Sequence, residues 1–259
     1  MDVLYVLGTG SLYGKNDEIR YSLRSLEKHL SGMSRVFIVG ECPSWAKGVI
    51  HIPCEDIHDP ALNADGNIIH KVLTGCNSGL LSDDFLFIND DHILLGDIAA
   101  NALPCFHKGD MTTYDDRFWA VNFWRGRLKR TKDELVRRGL PALHFDTHTP
   151  IVMNKKKFVE VMSSYDHATG VGYCMKSLYA NTVGCVPTAH KEVKVFQPLT
   201  YEQIKHVVRG AQMFAFNNDG FNKDMHRFLA DTFPQASRFE RPIPTHVQKP
   251  KFQFQWLKK

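Results

Sequence analysis

The sequence predicts an α/β fold in which a mostly parallel sheet is covered by helices. Short apolar runs typical of buried strands recur along the first third of the chain, and helical patterns separate most of them. Parallel neighbours need such crossovers, so this alternation favours a parallel sheet. The last run, Phe85-Leu-Phe-Ile88, ends in Asn89-Asp-Asp-His92, which places polar side chains where a strand reaches the sheet edge.

The first half of the chain shows the clearest periodicity. Ile19, Leu23, Leu26 and Leu30 share one face of a predicted helix, whose other faces carry charged residues. The predicted elements are, in order, a strand at 4–7, a helix from about 17, strands at 36–39 and 49–52, a helix around 68–73 and the strand at 85–88.

The second half is more irregular. Thr131-Lys-Asp-Glu134 is a capping-box pattern that predicts a helix start, and Gly139 predicts its end. Thr200-Tyr-Glu-Gln203 predicts a second capping box, with the helix ending near Gly210. Further predictions are a strand at 151–153, helices at about 155–164 and 173–181, a last helix around 225–229 and an irregular tail from 241 onward. Since neither a repeat nor a linker interrupts the pattern, we expect one domain over 1–259.

Composition limits the class of protein. The 259 residues are 43% hydrophobic and 11% aromatic, which is enough for a substantial core, and the net charge of +4 mildly favours anionic ligands. The N-terminus lacks the features of a secretory signal, and no apolar run is long enough to span a bilayer. The six cysteines form no CxxC pair, so we expect reduced, mostly buried thiols in a cytoplasmic protein.

Asp90 and Asp91 are the strongest candidates for chemistry. Carboxylate oxygens at a strand end suit a hard divalent cation such as Mg²⁺ or Mn²⁺, which in turn binds a diphosphate. The alternative is an ordinary polar turn, because Asn-Asp and Asp-His pairs are common in loops.

Several segments, in order, resemble the Stealth proteins, nucleotide-sugar-dependent transferases that include the capsular polysaccharide phosphotransferases. The resemblance covers roughly residues 3–95 and lies in matching blocks with matching order and spacing. The blocks are Asn16-Asp-Glu-Ile-Arg-Tyr-Ser-Leu-Arg-Ser-Leu-Glu-Lys28, Val36-Phe-Ile-Val39, Cys42-Pro-Ser-Trp45, Ile52-Pro-Cys-Glu-Asp-Ile57, Asn63-Ala-Asp-Gly-Asn-Ile-Ile-His70 and Phe85-Leu-Phe-Ile-Asn-Asp-Asp91.

The second half resembles the family more thinly, through His148-Thr-Pro150, Phe216-Asn-Asn-Asp219 and the segment 233–240. The phosphotransferases carry an Arg-rich segment where this chain has Gly172 to Asn181, and that departure argues against hexose-1-phosphate transfer. The resemblance implies a GT-A-like, Rossmann-like fold. Its donor half would be 1–100, its more irregular acceptor and catalytic half 101–240, and its basic tail 241–259.

The same resemblance implies which residues contact the nucleotide sugar. The loop after the first strand contains Gly8, Thr9, Gly10 and Ser11, whose backbone can approach a nucleotide closely, although an ordinary loop is the alternative. Arg20 and Arg24 lie one helical turn apart and are expected at the diphosphate, with a solvated helix face as the alternative. His70, Asn89 and Asp90 complete the predicted donor-binding set, with an ordinary surface position as the alternative for His70.

His144-Phe-Asp-Thr-His148 is the second strongest signal. If the segment is extended, alternation places His144, Asp146 and His148 on one face. We expect His148 at the metal or the donor phosphate, and Asp146 as a general base. A separate zinc site and a plain polar loop remain alternatives.

The segment from Arg117 to Arg130 interleaves aromatic and basic residues, which predicts an acceptor site. The acceptor candidates are Asp115, Trp119, Trp124 and Arg125, and Asp116 is an alternative base. Both a glycan and DNA suit this surface, as does a helix with aromatic core positions and a solvated basic face.

Together these observations predict a metal-dependent glycosyltransferase that moves a sugar from a nucleotide-sugar donor, a UDP-sugar by preference, to a glycan or to a hydroxymethylated base in DNA. The metal and Arg20 would stabilise the leaving group. The alternatives are a Stealth-type hexose-1-phosphate transferase and a non-catalytic module that binds sugar or nucleic acid.

Overall fold

A five-stranded sheet forms the centre of the molecule. The computed structural model describes residues 1–8, 16–119 and 122–242. The strands are β1 (Asp2–Leu7), β2 (Leu30–Ser31), β3 (Val36–Gly40), β4 (Ile50–Ile52), β5 (Asp84–Phe87), β6 (His92–Leu94), β7 (Ile98–Ala99), β8 (Cys105–His107), β9 (Ile151–Asn154), β10 (Pro187–Ala189), β11 (Lys194–Val195) and β12 (Met213–Phe216). The helices are α1 (Asp17–His29), α2 (Pro60–Asn77), α3 (Asp116–Trp119), α4 (Phe123–Arg137), α5 (Lys155–Ser163), α6 (Met175–Val183), α7 (Tyr201–Val207) and α8 (Lys223–Thr232).

The central sheet has the strand order β4-β3-β1-β5-β9. Its first four strands are parallel, and β9 is antiparallel to β5 at one edge. Side chains alternate across the sheet: Leu4 and Phe87 pack with α2, α5 and α6, whereas Tyr5 and Leu86 face the side that α1 covers. The predicted α/β class and the mostly parallel, helix-covered sheet are confirmed, while the GT-A-like assignment stays a prediction.

A smaller sheet brings the second half of the chain beside the end of β5. After Phe87 the chain turns through Asn89–Asp91 and continues as β6, which leaves the central sheet and pairs antiparallel with β12. Strand β12 in turn pairs with β11. On the other side, Ser22 of α1 donates a hydrogen bond to the carbonyl of His92 at 2.7 Å. The turn between β5 and β6 is therefore held between α1 and the small sheet.

Most predicted elements are present within a few residues of their expected bounds, and one helix start is wrong. The helix expected to begin at Thr131 begins at Phe123, where the Asn122 side chain accepts a hydrogen bond from the Arg125 N–H. Thr131 lies inside α4 and donates to the carbonyl of Arg127. A Thr-x-x-Glu pattern also occurs inside helices, so the pattern alone did not locate this terminus. The capping box at Thr200 and Gln203 is confirmed.

The buried core links early and late parts of the chain, because the cluster around Leu4 and Phe87 extends to Leu178 and Ala180.

Of the cysteines, Cys76 and Cys174 are buried and the other four are half-buried free thiols, so burial of the thiols is less complete than expected. In the described ranges, no helix combines the length and apolar character required to cross a membrane.

Candidate active site

Asp91 lies at the turn after β5 with an incomplete set of partners. Its Oδ1 atom is buried and accepts no hydrogen bond from the described residues, although His92 Nε2 lies 3.5 Å away. Its Oδ2 atom lies 4.0 Å from Lys194 Nζ, and the side chain is 21% exposed. A buried carboxylate oxygen without a partner is costly in a folded protein, which makes it a candidate ligand contact.

Burial, together with the neighbouring charges of Asp91 and Glu18, raises the pKa of Asp90 to about 8. Burial also raises the pKa of Asp91, against the opposing effects of Lys194, His148 and Lys176. A cation bound at this turn would favour the ionised form of both carboxyl groups, because it would offset their mutual repulsion and their desolvation.

The oxygen atoms at this turn fit a Mg²⁺ or Mn²⁺ ion that takes the rest of its coordination shell from water and phosphate. Mg²⁺ is usually bound through one or two carboxylates together with substrate phosphates. Over the described ranges, no group of three or more His, Cys, Asp or Glu side chains is arranged to hold a metal ion. The donors available there are thus Asp90 and Asp91, and the role predicted for His148 as a third ligand stays a prediction.

His148 is held by Glu192. The backbone N–H of His148 donates to Glu192 Oε2 at 2.7 Å, and its ring Nδ1 lies 3.2 Å from the same oxygen. The other oxygen, Oε1, lies 2.5 Å from Lys108 Nζ. With Nδ1–H donating to the carboxylate, Nε2 is the ring nitrogen left to accept a proton. The His148 ring stands edge-on to His92, with 6.3 Å between centroids, so it lies beside the Asp91 turn.

Asp146 and Lys176 belong to one cluster of interacting side chains, which we call the charged group; its other members are Asp91, His148, Glu192 and Lys194. Burial raises the pKa of Asp146, but Lys176, His144, His148 and a hydrogen bond from Trp124 lower it below its usual value overall. Trp124 Nε1 donates to Asp146 Oδ2 at 2.8 Å. The buried Lys176 ammonium donates to the carbonyls of Thr147 and Thr149. The Lys176 charge is felt at Asp91 as well as at Asp146, so it connects the two carboxylates.

The segment from His144 to His148 is not a strand, and the three side chains predicted to share a face have different partners. His144 is buried, and its Nδ1 lies 2.9 Å from the Tyr114 hydroxyl. Burial lowers the pKa of His144 to about 4. Asp146 and His148 both belong to the charged group, whereas the His144 ring packs against the aromatic rings of Tyr114 and Trp124.

Sequence reasoning missed three residues of this site, Lys176, Glu192 and Lys194. Glu192 and Lys194 are separated by one residue near β11, and alternation on an extended segment predicts that they share a face. That pattern was available in the sequence. Lys176 had no comparable local signal, since its ammonium reaches Thr147 through the packing of α6.

The predicted acceptor residues surround an aromatic cluster that reaches Asp146. Trp119 stacks on Tyr114 with 5.6 Å between ring centroids, and Trp124 packs against His144. Arg125 donates to the carbonyl of Phe118 at 2.9 Å. Asp115 caps the start of α3, where it accepts from the Phe118 N–H at 3.1 Å. Asp116, the alternative base, is exposed, whereas Asp146 lies close to Lys176 and His148, so Asp146 is the better placed of the two candidates.

Arg20 and Arg24 contact a different carboxylate. Both guanidinium groups donate to the buried side chain of Glu240, Arg20 at 2.9 Å and Arg24 through two bonds of 2.7 Å. Arg24 also donates to the carbonyl of Phe233. The structure therefore joins the first resemblance block to the last one, and the diphosphate role of both arginines stays a prediction.

The other predicted donor residues are distributed around the edge of the sheet. Asn89 lies in the turn beside Asp90, and its carbonyl accepts from the His92 N–H at 3.3 Å. His70 is half-buried on α2, and Gly8 follows β1. Thr9, Gly10 and Ser11 lie outside the described residues, as does the tail after 242.

Comparison with known proteins supports a distant relationship to a sugar-phosphate transferase. The mouse N-acetylglucosamine-1-phosphotransferase subunits alpha/beta are 31% identical over 114 residues, covering 39% of this chain and 9% of the relative. The human protein of the same name is 29% identical over 119 residues, with the same coverage. No family model matches the chain. This chain spans about a tenth of the length of these relatives. The match therefore supports a distant relationship to a sugar-phosphate transferase and does not extend to the complete activity of either relative.

Proposed function

We propose that this protein transfers a sugar phosphate from a nucleotide-diphosphate sugar to a hydroxyl acceptor. The observation that carries the proposal is the buried Asp91 carboxylate, which lacks a hydrogen-bond partner on one oxygen and faces Lys194 on the other. Unsatisfied buried charge at the carboxyl end of a parallel strand is typical of a ligand site. The similarity to a named phosphotransferase favours phosphate transfer over sugar transfer.

Cations on several elements would bind the donor. Asp90 and Asp91 would hold Mg²⁺ or Mn²⁺, which when bound would neutralise charge on the donor diphosphate. Lys194 Nζ lies 4.0 Å from Asp91 Oδ2, and the charges of Lys194 and Lys176 both act on Asp91, so these two cations would meet the phosphate oxygens. Lys176 belongs to the segment in which the resemblance lacks an Arg-rich pattern, so this segment still supplies a cation.

His148 is the proton acceptor that the geometry favours. Glu192 holds the ring through Nδ1 and holds the backbone through its N–H, so Nε2 is the ring nitrogen left to accept a proton beside the turn. Asp146 is held ionised by Lys176 and by the Trp124 N–H, which makes it a weaker base than one whose pKa lies near neutrality. We therefore assign Asp146 to orienting the acceptor.

The proposed step conserves atoms and charge. The acceptor oxygen forms a bond to the phosphorus that carries the sugar, while the bridging P–O bond of the diphosphate breaks. The electron pair leaves with the nucleoside monophosphate, and the hydroxyl proton passes to His148 Nε2.

Glycosyl transfer is the second candidate, because aromatic residues reach Asp146 on the predicted acceptor side. In that reaction the acceptor oxygen attacks the anomeric carbon, the C1–O bond breaks, and the leaving group is a nucleoside diphosphate. The two reactions therefore release different nucleotides.

Nucleotide analysis tests both candidates. UDP-N-acetylglucosamine would be incubated with the protein and Mn²⁺, either with water alone or with one of two acceptors, methyl α-mannoside or duplex DNA containing hydroxymethylcytosine. We expect UMP, whereas UDP would favour glycosyl transfer. Absence of both, across a panel of nucleotide sugars, would favour a binding module. His148→Gln tests the assigned base, with His206→Gln on the exposed face of α7 as the control.

A further inference from the structure

The segment from Glu192 to Phe196 ends in an exposed aromatic side chain, Phe196, that has no role in the proposed reaction. We propose that Phe196 and Lys194 form the subsite for the hexose ring and its phosphate, an inference that rests on the proposed function. Phe196 would stack on the apolar face of the sugar, and Lys194 would bind the phosphate attached to it.

Alternation in this segment separates the side chains that fold the protein from those at the site. Val193 and Val195 pack in the cluster formed by β12, α7 and α8. The carbonyls of Val193 and Val195 accept hydrogen bonds from Ala215 and Asn217. Glu192, Lys194 and Phe196 alternate with these valines and lie on the opposite face of the segment. Glu192 contacts His148, Lys194 lies near Asp91, and Phe196 lies beside His148 and Lys194. The backbone pairing with β12 therefore fixes the direction of all three.

Phe196 is unusually accessible for a large apolar side chain, with 59% of its surface exposed. Its neighbours are nonetheless defined. The Phe196 ring meets the His148 ring edge-on at 6.4 Å between centroids, and Lys194 Nζ lies 5.3 Å from the Phe196 centroid. Lys194 Nζ also lies 4.0 Å from Asp91 Oδ2. An exposed aromatic face therefore lies immediately beside the proposed phosphate contacts.

The short distance between the aromatic ring and the ammonium favours the sugar over the nucleobase. In a sugar 1-phosphate, one glycosidic oxygen separates the pyranose ring from the phosphorus. In a nucleotide sugar, the base lies beyond the second phosphate and the ribose. A ring stacked on Phe196 while Lys194 binds its phosphate is thus the directly attached ring. Aromatic side chains also suit this role because the C–H face of a pyranose packs on them.

Binding of small probes tests the subsite without requiring turnover. Isothermal titration calorimetry of the full chain with Mg²⁺ would compare N-acetylglucosamine 1-phosphate, glucose 1-phosphate, inorganic pyrophosphate and UMP. We expect Phe196→Ala to weaken hexose 1-phosphate binding roughly tenfold and to leave pyrophosphate binding unchanged. Phe196→Trp should restore the affinity, and Lys194→Met should weaken every probe. Val186→Ala is the matched control, because Val186 is 84% exposed.

Several results would overturn the proposal. One is hexose 1-phosphate binding that is unchanged in Phe196→Ala. Another is an equal loss of pyrophosphate binding in this variant, which would mean that Phe196 only supports Lys194. A larger effect on UMP would assign the ring to the base. Failure of wild-type protein to bind any hexose 1-phosphate would also contradict the subsite. Failure of the proposed function is distinguished by release of UDP, or of no nucleotide, in the transfer assay while this binding pattern persists.

Discussion

Two carboxylate sites beside α1 have contrasting environments. Glu240, beside Arg20 and Arg24, accepts hydrogen bonds from both guanidinium groups and from the backbone N–H of Ser237. Burial opposes ionisation of Glu240, but these partners bring its pKa down to about 2. At the Asp90–Asp91 turn, burial and repulsion act in the other direction and raise the pKa of Asp90 to about 8.

This contrast separates a structural carboxylate from a candidate ligand. Glu240 has partners for both oxygens, so it stabilises the fold and has little capacity for a further cation. Asp91 has one oxygen without a hydrogen-bond partner, and the fold leaves that cost uncompensated. We infer that unsatisfied buried charge, rather than charge as such, marks the site in this molecule.

Asp91→Asn should have the largest effect. Removing the carboxylate should reduce donor cleavage by at least about 100-fold, because the proposed metal and phosphate contacts depend on it. The folded state should lose little stability, or gain some, since a buried charge is removed. Nucleotide release and urea unfolding measure the two effects. Asp83→Asn is the control, because the Asp83 side chain is 70% exposed. Unchanged cleavage in Asp91→Asn would contradict the assignment.

Glu240→Gln should have the opposite profile. We expect a loss of roughly 3 kcal/mol in the free energy of unfolding at neutral pH, since the paired arginines lose a buried counter-charge. Because the folded pKa of Glu240 is about 2 and the usual value for a glutamate side chain is 4.5, its ionised form stabilises the fold above pH 4.5. That contribution is lost as the pH falls from 4.5 towards 2.

Urea unfolding at a series of pH values measures this difference. The gap between wild type and Glu240→Gln should narrow as the pH falls through that range. A constant gap would show that ionisation of Glu240 is not its source. Donor cleavage by the folded fraction should be preserved, and its loss would place Glu240 in the catalytic machinery.

Conservative changes of the two arginines that contact Glu240 should give the smallest effects. Arg24→Lys removes a forked contact to Glu240 and a bond to Phe233, so it should cost about 1–2 kcal/mol of stability. Arg20→Lys should cost less than about 1 kcal/mol, since Arg20 makes one bond to Glu240 and one to Asp17.

The same pair tests the sequence-based role of Arg20 at the diphosphate. Nucleoside diphosphate affinity measured by calorimetry should be nearly the same in both variants if the arginines are structural. A selective loss of affinity in Arg20→Lys would instead support the diphosphate contact.

Local patterns were sufficient for much of the fold. Strands β1, β3 and β5 follow from short apolar runs, and α1 follows from the spacing of Ile19, Leu23 and Leu26, because burial of one helix face is written in nearby residues. The start of α4 was predicted wrongly because the capping-box pattern at Thr131 favoured a later start. The helix is instead capped by the Asn122 side chain, which accepts a hydrogen bond from the Arg125 N–H.

Local sequence patterns are enough to predict the alternation of strands and helices and the two carboxylates at the end of β5. Which charges surround these carboxylates depends on contacts between distant segments of the folded chain. Glu192 meets His148 across 44 residues of chain, and Lys176 meets Thr147 through the packing of α6. Hydrogen bonds and Coulomb interactions depend on distance in space, and no local periodicity encodes contacts between such separated segments. The same reason explains why Glu240, a single acidic residue near the end of the described chain, proved to be the partner of Arg20 and Arg24.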